Sequence, residues 1–427
     1  MAQEERARFE SYLDRLASQL GHADRREPLR AYLTGLLLSG DRKSVEPMAA
    51  KIDPRHVQAR HQSMHHFVAQ APWDERSLLA SARDYALGAL ERHAPVAAWV
   101  IDDTGIPKKG HHSVGVAQQY CGARGKTTNC QVAVSLSLVN TTMSVPSAWR
   151  LYLPEGWARE RSRRRAGGIP ADVRFLTKWQ IALEQIDALL ADDLPRAPVV
   201  ADAGYGVCTE FRDALQARKL SYAMGITSQV TVWPPDAQLL PAALWKGIGR
   251  RPTYRRPGPQ QQPLSVAAVA QGLPGNAWQT VSWREGSRGR MSSRFARVRI
   301  RPAHRDRWPE PEWLVIEWPK NEPEPTRYFL SSVPAEAALD DLVRLIKIRW
   351  RIERDYEELK DELGLDHYEG RSWRGFHHHG VLCIAAYCFL AAERARLSPP
   401  EPVAFLRPAA VPRGFRPRGA AVAARAS

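Results

Sequence analysis

The sequence predicts an α/β fold with a β-rich insertion, preceded by an all-helical N-terminal domain. Three observations predict it. Residues 1–92 carry apolar positions at helical spacing. From residue 96, short apolar runs of strand type alternate with amphipathic helices. Residues 227–325 are rich in Pro, Gly and Arg and keep only β-type fragments such as "FARVRIRP" and "EWLVIEW". The composition is that of a globular chain: 44% of the 427 residues are hydrophobic and 25% charged, enough for a substantial core and two or three domains.

In the N-terminal segment "FESYLDRLASQL", "PLRAYLTGLLL" and "RSLLASARDYALGALERH" are helical by period. Asp53 before Pro54 predicts a helix start, with Asp as the cap and Pro in the first turn. The two short helices around it, "KSVEPMAAKI" and "PRHVQARHQSMHHFVAQ", form either a helix-turn-helix or part of a plain bundle. Strands follow at 96–102 ("VAAWVID"), 130–140 and 147–154, with the turn between the last two near Thr141 and Thr142. Next come a helix over 173–193, a strand over 197–202, a helix in "CTEFRDALQARK" and a strand in "LSYAMGI". That order of elements is the order of an RNase H-like core. Helical pattern resumes over 335–365, and Val381 to Ala392 is an apolar run too short to span a bilayer, hence a buried helix.

The expected divisions are thus a helical domain at 1–92, DNA-binding if its short helices form the helix-turn-helix, the first part of the core at 93–226, the insertion at 227–325 and the second part of the core at 326–397. Residues 398–427 form a basic Pro/Ala/Arg-rich tail, with five Arg against one Glu from residue 401, and are expected to be disordered.

Charge gives the first functional direction. Lys and Arg number 61 against 46 Asp and Glu, a net charge of +15, which favours a polyanionic partner, nucleic acid foremost. The N-terminal stretch is charged from residue 4 onward, so no signal peptide is expected. The five cysteines are scattered, with no C-x-x-C pair and no zinc spacing. They predict a reduced, cytosolic protein, with Cys383 and Cys388 as small buried hydrophobes.

Two strands end alike. "WVIDDTG" and "VVADAGYG" each run apolar to an Asp and turn at a Gly. Carboxylates at strand ends either face a crevice, where they suit a metal, or cap the following turn. A third carboxylate comes from "IRWRIERDYEELK" (348–360). At about 100° per residue, with Arg349 at zero, Lys360 falls near ~20°, Glu353 near ~40° and Tyr356 near ~340°. Ile348, Ile352, Leu359 and Leu363 form the adjoining apolar stripe. Glu357, Glu358 and Asp355 point elsewhere and read as solvated. Among these carboxylates Glu353 alone shares the narrow arc of the two basic residues beside the apolar seam, a position fit for a metal ligand beside a phosphate backbone.

These features resemble the DDE transposases of bacterial insertion sequences, in the superfamily whose third acidic residue lies in a Tyr-x2-Arg-x3-Glu-x6-Lys signature. Here that register reads Ile346-x2-Arg349-x3-Glu353-x6-Lys360, with Ile in place of Tyr. "RWRIE", "LKDELGLDHYEGRS" and "DDTGIPKKGHHSVGVAQQYCG" are similar to the superfamily-endonuclease subgroup, over roughly residues 25–395.

The resemblance implies an RNase H-like catalytic core with a β-rich insertion between the second Asp and the Glu. It implies that Asp102, Asp202 and Glu353 hold two Mg²⁺ (or Mn²⁺) ions for phosphoryl transfer. It favours Asp102 over Asp103, because the family places a Thr two residues after the catalytic Asp, as Thr104 stands here. Arg349 and Lys360 match the family's phosphate-contacting pair, or else make helix-surface salt bridges to Glu353 and Glu357; Lys108 and Lys109 either approach the scissile strand or form a solvated turn.

The implied function is metal-dependent cleavage and strand transfer at terminal inverted repeats by a bacterial, nucleoid-associated protein, dimeric in the synaptic complex. Runners-up are a Mg-dependent nuclease without strand joining and a catalytically idle DNA-binding regulator. The basic loop "RERSRRR" (159–165) is either a DNA contact or a solvated face. "HHH" (377–379) cannot converge on one ion from a helix, and "GSRGR" (286–290) lacks a P-loop ending.

Overall fold

The computed structural model describes residues 2–234, 237, 239–240, 247–248, 256–257, 262–286, 289–304 and 308–397. The tail expected over 398–427 and parts of the 227–325 insertion lie outside the described residues.

Five helices open the chain: α1 (Ala2–Ala17), α2 (Arg26–Leu37), α3 (Val45–Ile52), α4 (Val57–Ala69) and α5 (Glu75–His93). Leu29, Leu33 and Leu36 form one buried stripe of α2. Asp74 starts α5 by accepting hydrogen bonds from the N–H groups of Arg76 and Ser77. The expected helix start at Asp53-Pro54 is corrected. Asp53 follows the end of α3 and accepts from the His56 N–H at 3.2 Å; His56 itself, at φ −130°, is non-helical, so α4 begins only at Val57.

The next block holds β1 (Ala98–Pro107), β2 (Ala117–Cys121), β3 (Lys126–Val139), β4 (Ser144–Leu151), the short α6 (Glu155–Arg159) and α7 (Arg161–Ala166), and α8 (Lys178–Ala191). It continues with β5 (Val199–Ala201), α9 (Ala203–Gly206), α10 (Thr209–Ala217) and β6 (Tyr222–Ile226). The helix expected from residue 173 begins at Lys178, because Thr177 and Gln180 close a capping box there. The loop expected over 159–165 contains α7, where Arg164 donates to the carbonyls of Val173 (2.7 Å) and Pro170 (2.6 Å).

Downstream lie β7 (Thr231–Trp233), β8 (Leu239–Leu240), β9 (Arg256–Pro257), β10 (Leu264–Ser265), α11 (Val266–Gln271), β11 (Gln279–Gly286), β12 (Gly289–Pro302), β13 (Glu312–Trp318) and β14 (Arg327–Ser331). The chain closes on α12 (Leu339–Lys347), α13 (Trp350–Asp361) and α14 (Trp373–Leu397).

Among the described residues, twelve strands form one mixed sheet in the order β10-β7-β12-β13-β14-β6-β5-β1-β3-β2, with β11 on β12 and β4 on β3. Only β1, β5 and β6 pair in parallel. β14 lies antiparallel on β6 and carries β13 and β12 onward, so most strands of the insertion extend the main sheet, while β8 and β9 pair as a separate two-stranded sheet. β3 is buried at every position from Cys130 to Val139, as a strand covered on both faces must be; α8 packs on β3 and α14 on β4.

The apolar run at 381–392 lies in α14, which is buried almost all round and touches α2, α4, α5, α13 and β4. Tyr12 of α1 donates to the Ala385 carbonyl at 2.8 Å. The N-terminal helices and the sheet therefore share one continuous core. No helix among the described residues is long and apolar enough to cross a membrane.

Candidate active site

β1 and β5 are parallel neighbours in the register Trp99 to Val199 and Val100 to Val200. Two residues further on, Asp102 and Asp202 stand at the same level. The expectation that β1 ends at Asp102 is corrected: the strand runs to Pro107 and Asp102 is paired with Ser135 across β3. What ends there is the pairing with β5, and this opens a crevice at the carboxyl ends of the parallel strands. Gly105 is no turn either. It is extended, and a Cβ there would meet the Cys121 Sγ at 2.7 Å.

Asp202 caps α9, its Oδ1 accepting from the Gly204 N–H at 2.9 Å. The cap sits close because α9 lies directly on β6: a Cβ on Gly206 would come within 1.9 Å of the Gly225 carbonyl oxygen. The capping reading is thus what the structure shows at Oδ1, and the residue also lines the cleft described below.

The helix expected as one piece over 335–365 is two, α12 and α13, broken at Ile348 and Arg349. The junction is tightened by bonds to the third residue back, from the N–H of Arg351 to the Ile348 carbonyl (3.1 Å) and from the N–H of Ile352 to the Arg349 carbonyl (3.2 Å). Both residues keep right-handed helical dihedrals, so the helical arc carrying Arg349 and Glu353 survives approximately.

The side chains meet on Arg349. Its Nη1 lies 3.3 Å from Asp102 Oδ1 and 3.7 Å from Asp202 Oδ2, and its Nη2 lies 3.0 Å from Glu353 Oε1. Burial lowers the Arg349 pKa, but the attraction of Asp102, Asp202 and Glu353 outweighs it and holds the guanidinium above its ordinary value. Burial pushes the Asp102 carboxyl up to about 6 against the pull of Arg349, with Asp202 adding to the rise.

Asp103 faces the other way, its Oδ2 on Lys178 Nζ and its Oδ1 on the Tyr205 hydroxyl, both at 2.6 Å. The remaining basic candidates stand apart. Lys360 lies two turns of α13 beyond Glu353, about 10 Å along the axis. Lys108 is six residues past Asp102 on an extended strand, about 20 Å away, and donates to the Tyr368 carbonyl at 2.7 Å. Lys109 is exposed.

Asp355, read as solvated, is buried instead. It accepts from the hydroxyls of Ser144 and Tyr387 (the latter at 2.7 Å), tying α13 to β4 and α14. The three histidines of 377–379 bond to three different places: Leu151, the Val68 and Trp73 carbonyls, and Tyr32 with Gly364.

A cleft of about 580 Å³ opens beside Asp202, Arg349 and Glu353, and its far wall is Trp283, Arg284 and Met291 of β11 and β12. The Arg284 guanidinium lies 4.0 Å from the Trp350 ring centroid. Nothing in sequence flagged this wall, since β11 carries no motif; Trp350 lay inside the quoted "RWRIE".

As placed, no three carboxylate, imidazole or thiol groups among the described residues form a ready metal cage. The Asp102, Asp202 and Glu353 oxygens surround a guanidinium, a cation in its own right. A set of hard oxygen donors gathered around positive charge fits a hard divalent ion such as Mg²⁺ or Mn²⁺.

The chain is similar to a protein of Microchaete diplosiphon described as a probable transposase for insertion sequence element IS701, with 32% identity over 168 residues. That match covers 39% of this chain and spans only 41% of the relative's length. A family model described as DDE superfamily endonuclease matches residues 15–290, a range that holds Asp102 and Asp202 and stops short of Glu353. With most of its length matched by that model, the chain belongs to the DDE superfamily endonucleases.

Proposed function

We propose that this chain is the transposase of a bacterial insertion sequence, acting at the nucleoid on terminal inverted repeats and target DNA. One observation carries the reading: three acidic residues far apart in sequence, on β1, β5 and α13, meet at one cation beside an open cleft. Asp102, Asp202 and Glu353 are the residues that would hold two Mg²⁺ or Mn²⁺ ions, as endonucleases of this superfamily generally use divalent metals. Ions bound there would lower the pKa of an attacking water or DNA 3′-OH and stabilise the leaving oxygen.

The chain's own residues supply the rest. The carboxylates come from packed elements, so their spacing is fixed before DNA arrives. Asp103 is taken up by Lys178 and Tyr205 and holds β1 against α8 and α9. Arg349 and Lys360 offer charge-assisted contacts to the DNA backbone, and Lys108 and Lys109 flank the path further along β1. We assign 93–226 and 326–397 to an RNase H-like core, 227–325 to its insertion, and 1–92 to DNA recognition. In the last of these, α3 and α4 pack with α2 and leave Gln58, Gln62 and His65 exposed on α4, as the second helix of a helix-turn-helix does in the major groove. Synapsis of two ends requires a dimer on DNA.

Mg²⁺-dependent cleavage of element-end DNA by the purified chain, abolished in Glu353→Gln, is the expected result; unchanged activity in that variant sinks the assignment. The family description speaks of an endonuclease and not of joining, which favours a nuclease without strand transfer as the second reading. Pre-nicked ends offered with target DNA separate the two, since only a transposase joins them.

A further inference from the structure

Arg349 stands where three carboxylates converge, and a guanidinium cannot share that point with a metal held by the same oxygens. We propose that Arg349 is an internal counter-ion that competes with divalent metal for Asp102, Asp202 and Glu353, and that a DNA phosphate relieves the competition by drawing the guanidinium away. This rests on the reading of those three residues as metal ligands.

The contacts favour such an exchange. Without Arg349, three anions would gather at a crevice that shields only Asp102 well from water, its side chain being 19% exposed, so the repulsion would bear most on that residue. One guanidinium relieves that repulsion by touching all three, at 3.3, 3.7 and 3.0 Å. Its hold is uneven. The contact to Asp202 is long, and Glu353 is 57% exposed in its side chain, so water can take over there when the guanidinium leaves. Asp202 keeps its orientation regardless, because its other oxygen is pinned by the Gly204 N–H.

The destination is equally defined. Arg349 lines the cleft, together with Arg284 and Lys347, and lies at the α12–α13 junction, where its side chain projects from the end of α13 and not from mid-helix. Lys347 is held by both oxygens of Glu317, so a phosphate entering the cleft meets Arg284 and Arg349, the latter a planar donor fork suited to bidentate contact. Asp103 cannot serve as a substitute ligand, since Lys178 and Tyr205 already occupy both its oxygens.

The consequence is linkage. Metal and DNA each remove an obstacle to the other, so they bind with positive cooperativity, and each strengthens the other by the same factor. The free protein carries little metal, and the site fills when substrate is in place.

A purely structural arginine gives the opposite mutational sign: its loss loosens the site and weakens metal binding. The test is Ca²⁺ titration of the full chain by calorimetry without DNA, with folding checked by circular dichroism melts. Arg349→Gln is expected to bind Ca²⁺ at least tenfold more tightly than wild type. Arg349→Lys, whose ammonium cannot span three carboxylates, is expected to fall between them, and it decides the matter if the Gln variant does not fold. A short DNA duplex is expected to raise the Ca²⁺ affinity of wild type by a larger factor than that of the variant. Folded variants that bind Ca²⁺ no more tightly than wild type overturn the proposal. Glu353→Gln serves as the control. If it loses Ca²⁺ while Arg349→Gln gains nothing, only the counter-ion idea fails; if it binds as wild type does, the ligand assignment fails and the proposal with it.

Discussion

Adjacent in the chain, Asp102 and Asp103 face opposite sides of β1 and meet different partners, Arg349 for one and Lys178 with Tyr205 for the other. Substitution should therefore separate them. Asp102→Asn is expected to abolish cleavage at nearly wild-type melting temperature. Asp103→Asn is expected to keep metal-dependent cleavage and to lose about 1–3 kcal/mol of stability, as a charge-assisted bond and an ion pair are weakened; the reverse pattern reassigns the site. His377 offers a second residue-scale test. Its Nδ1 donates to the Trp373 carbonyl (2.9 Å) and its Nε2 accepts from the Leu151 N–H (3.2 Å), so the ring is bound as the neutral form. Burial lowers its pKa to about 4. The unfolded chain takes up the proton near 6.5, so this stabilisation is complete above about pH 6.5 and fades as pH falls to about 4. The shift corresponds to about 3 kcal/mol. The stability gap between wild type and His377→Gln, measured by urea melts, is expected to shrink by about that amount from pH 7 to pH 4. Residues of this kind were legible in unequal degree. Asp102, Asp202, Glu353 and Arg349 converge as their patterns suggested, whereas Lys108, near Asp102 in sequence, is carried far off by about 3.3 Å of strand per residue. Asp355 borders the apolar arc of its helix, and the partners that make burial tolerable, Ser144 and Tyr387, come from distant segments that no wheel displays.

At the scale of elements, the strand and helix order around the two aspartates was readable because apolar runs and helical periods are local signals. Three features were not. β1 continues through Asp102 to Pro107 although Asp, Gly and Pro are poor strand formers, because β3 supplies a full antiparallel partner. β2, "AQQYC", is short and polar, and exists only as the edge of β3. The break between α12 and α13 left no trace in the wheel, since both junction residues keep helical dihedrals. The element most exposed to test is α9, the four-residue helix that Asp202 caps. Gly206→Ala places a methyl group inside van der Waals contact of the Gly225 carbonyl. It is expected to cost several kcal/mol, on the order of other overpacked sites, and to reduce cleavage more than Asp103→Asn does, because α9 must lift from β6 and Asp202 moves with it. Thermal melts and a cleavage assay on the same sample check both parts.

For the whole molecule the decisive element is α14, an almost wholly buried helix that contacts N-terminal helices on one side and β4 on another. A separate N-terminal unit is what the helical texture of 1–92 suggested, and the sequence had no means of showing that its apolar faces would close on a helix from the far end of the chain. Calorimetry of the full chain is expected to show a single main transition spanning these helices and the sheet; a resolved early transition lost on deletion of residues 2–93 would falsify this. The continuity of the twelve-stranded sheet has a further consequence. The crevice is bounded by β5 on one side and by β11 and β12 on the other, and an unbroken ladder through β6, β14 and β13 links the two walls. Its width is therefore gauged by strand spacing and not by a hinge between separate bodies. Under the function proposed above, a duplex entering this gap would do the yielding, and its end would be selected partly by how easily it bends or unpairs. Sequence preference at the cut would then arise at base pairs that no side chain touches.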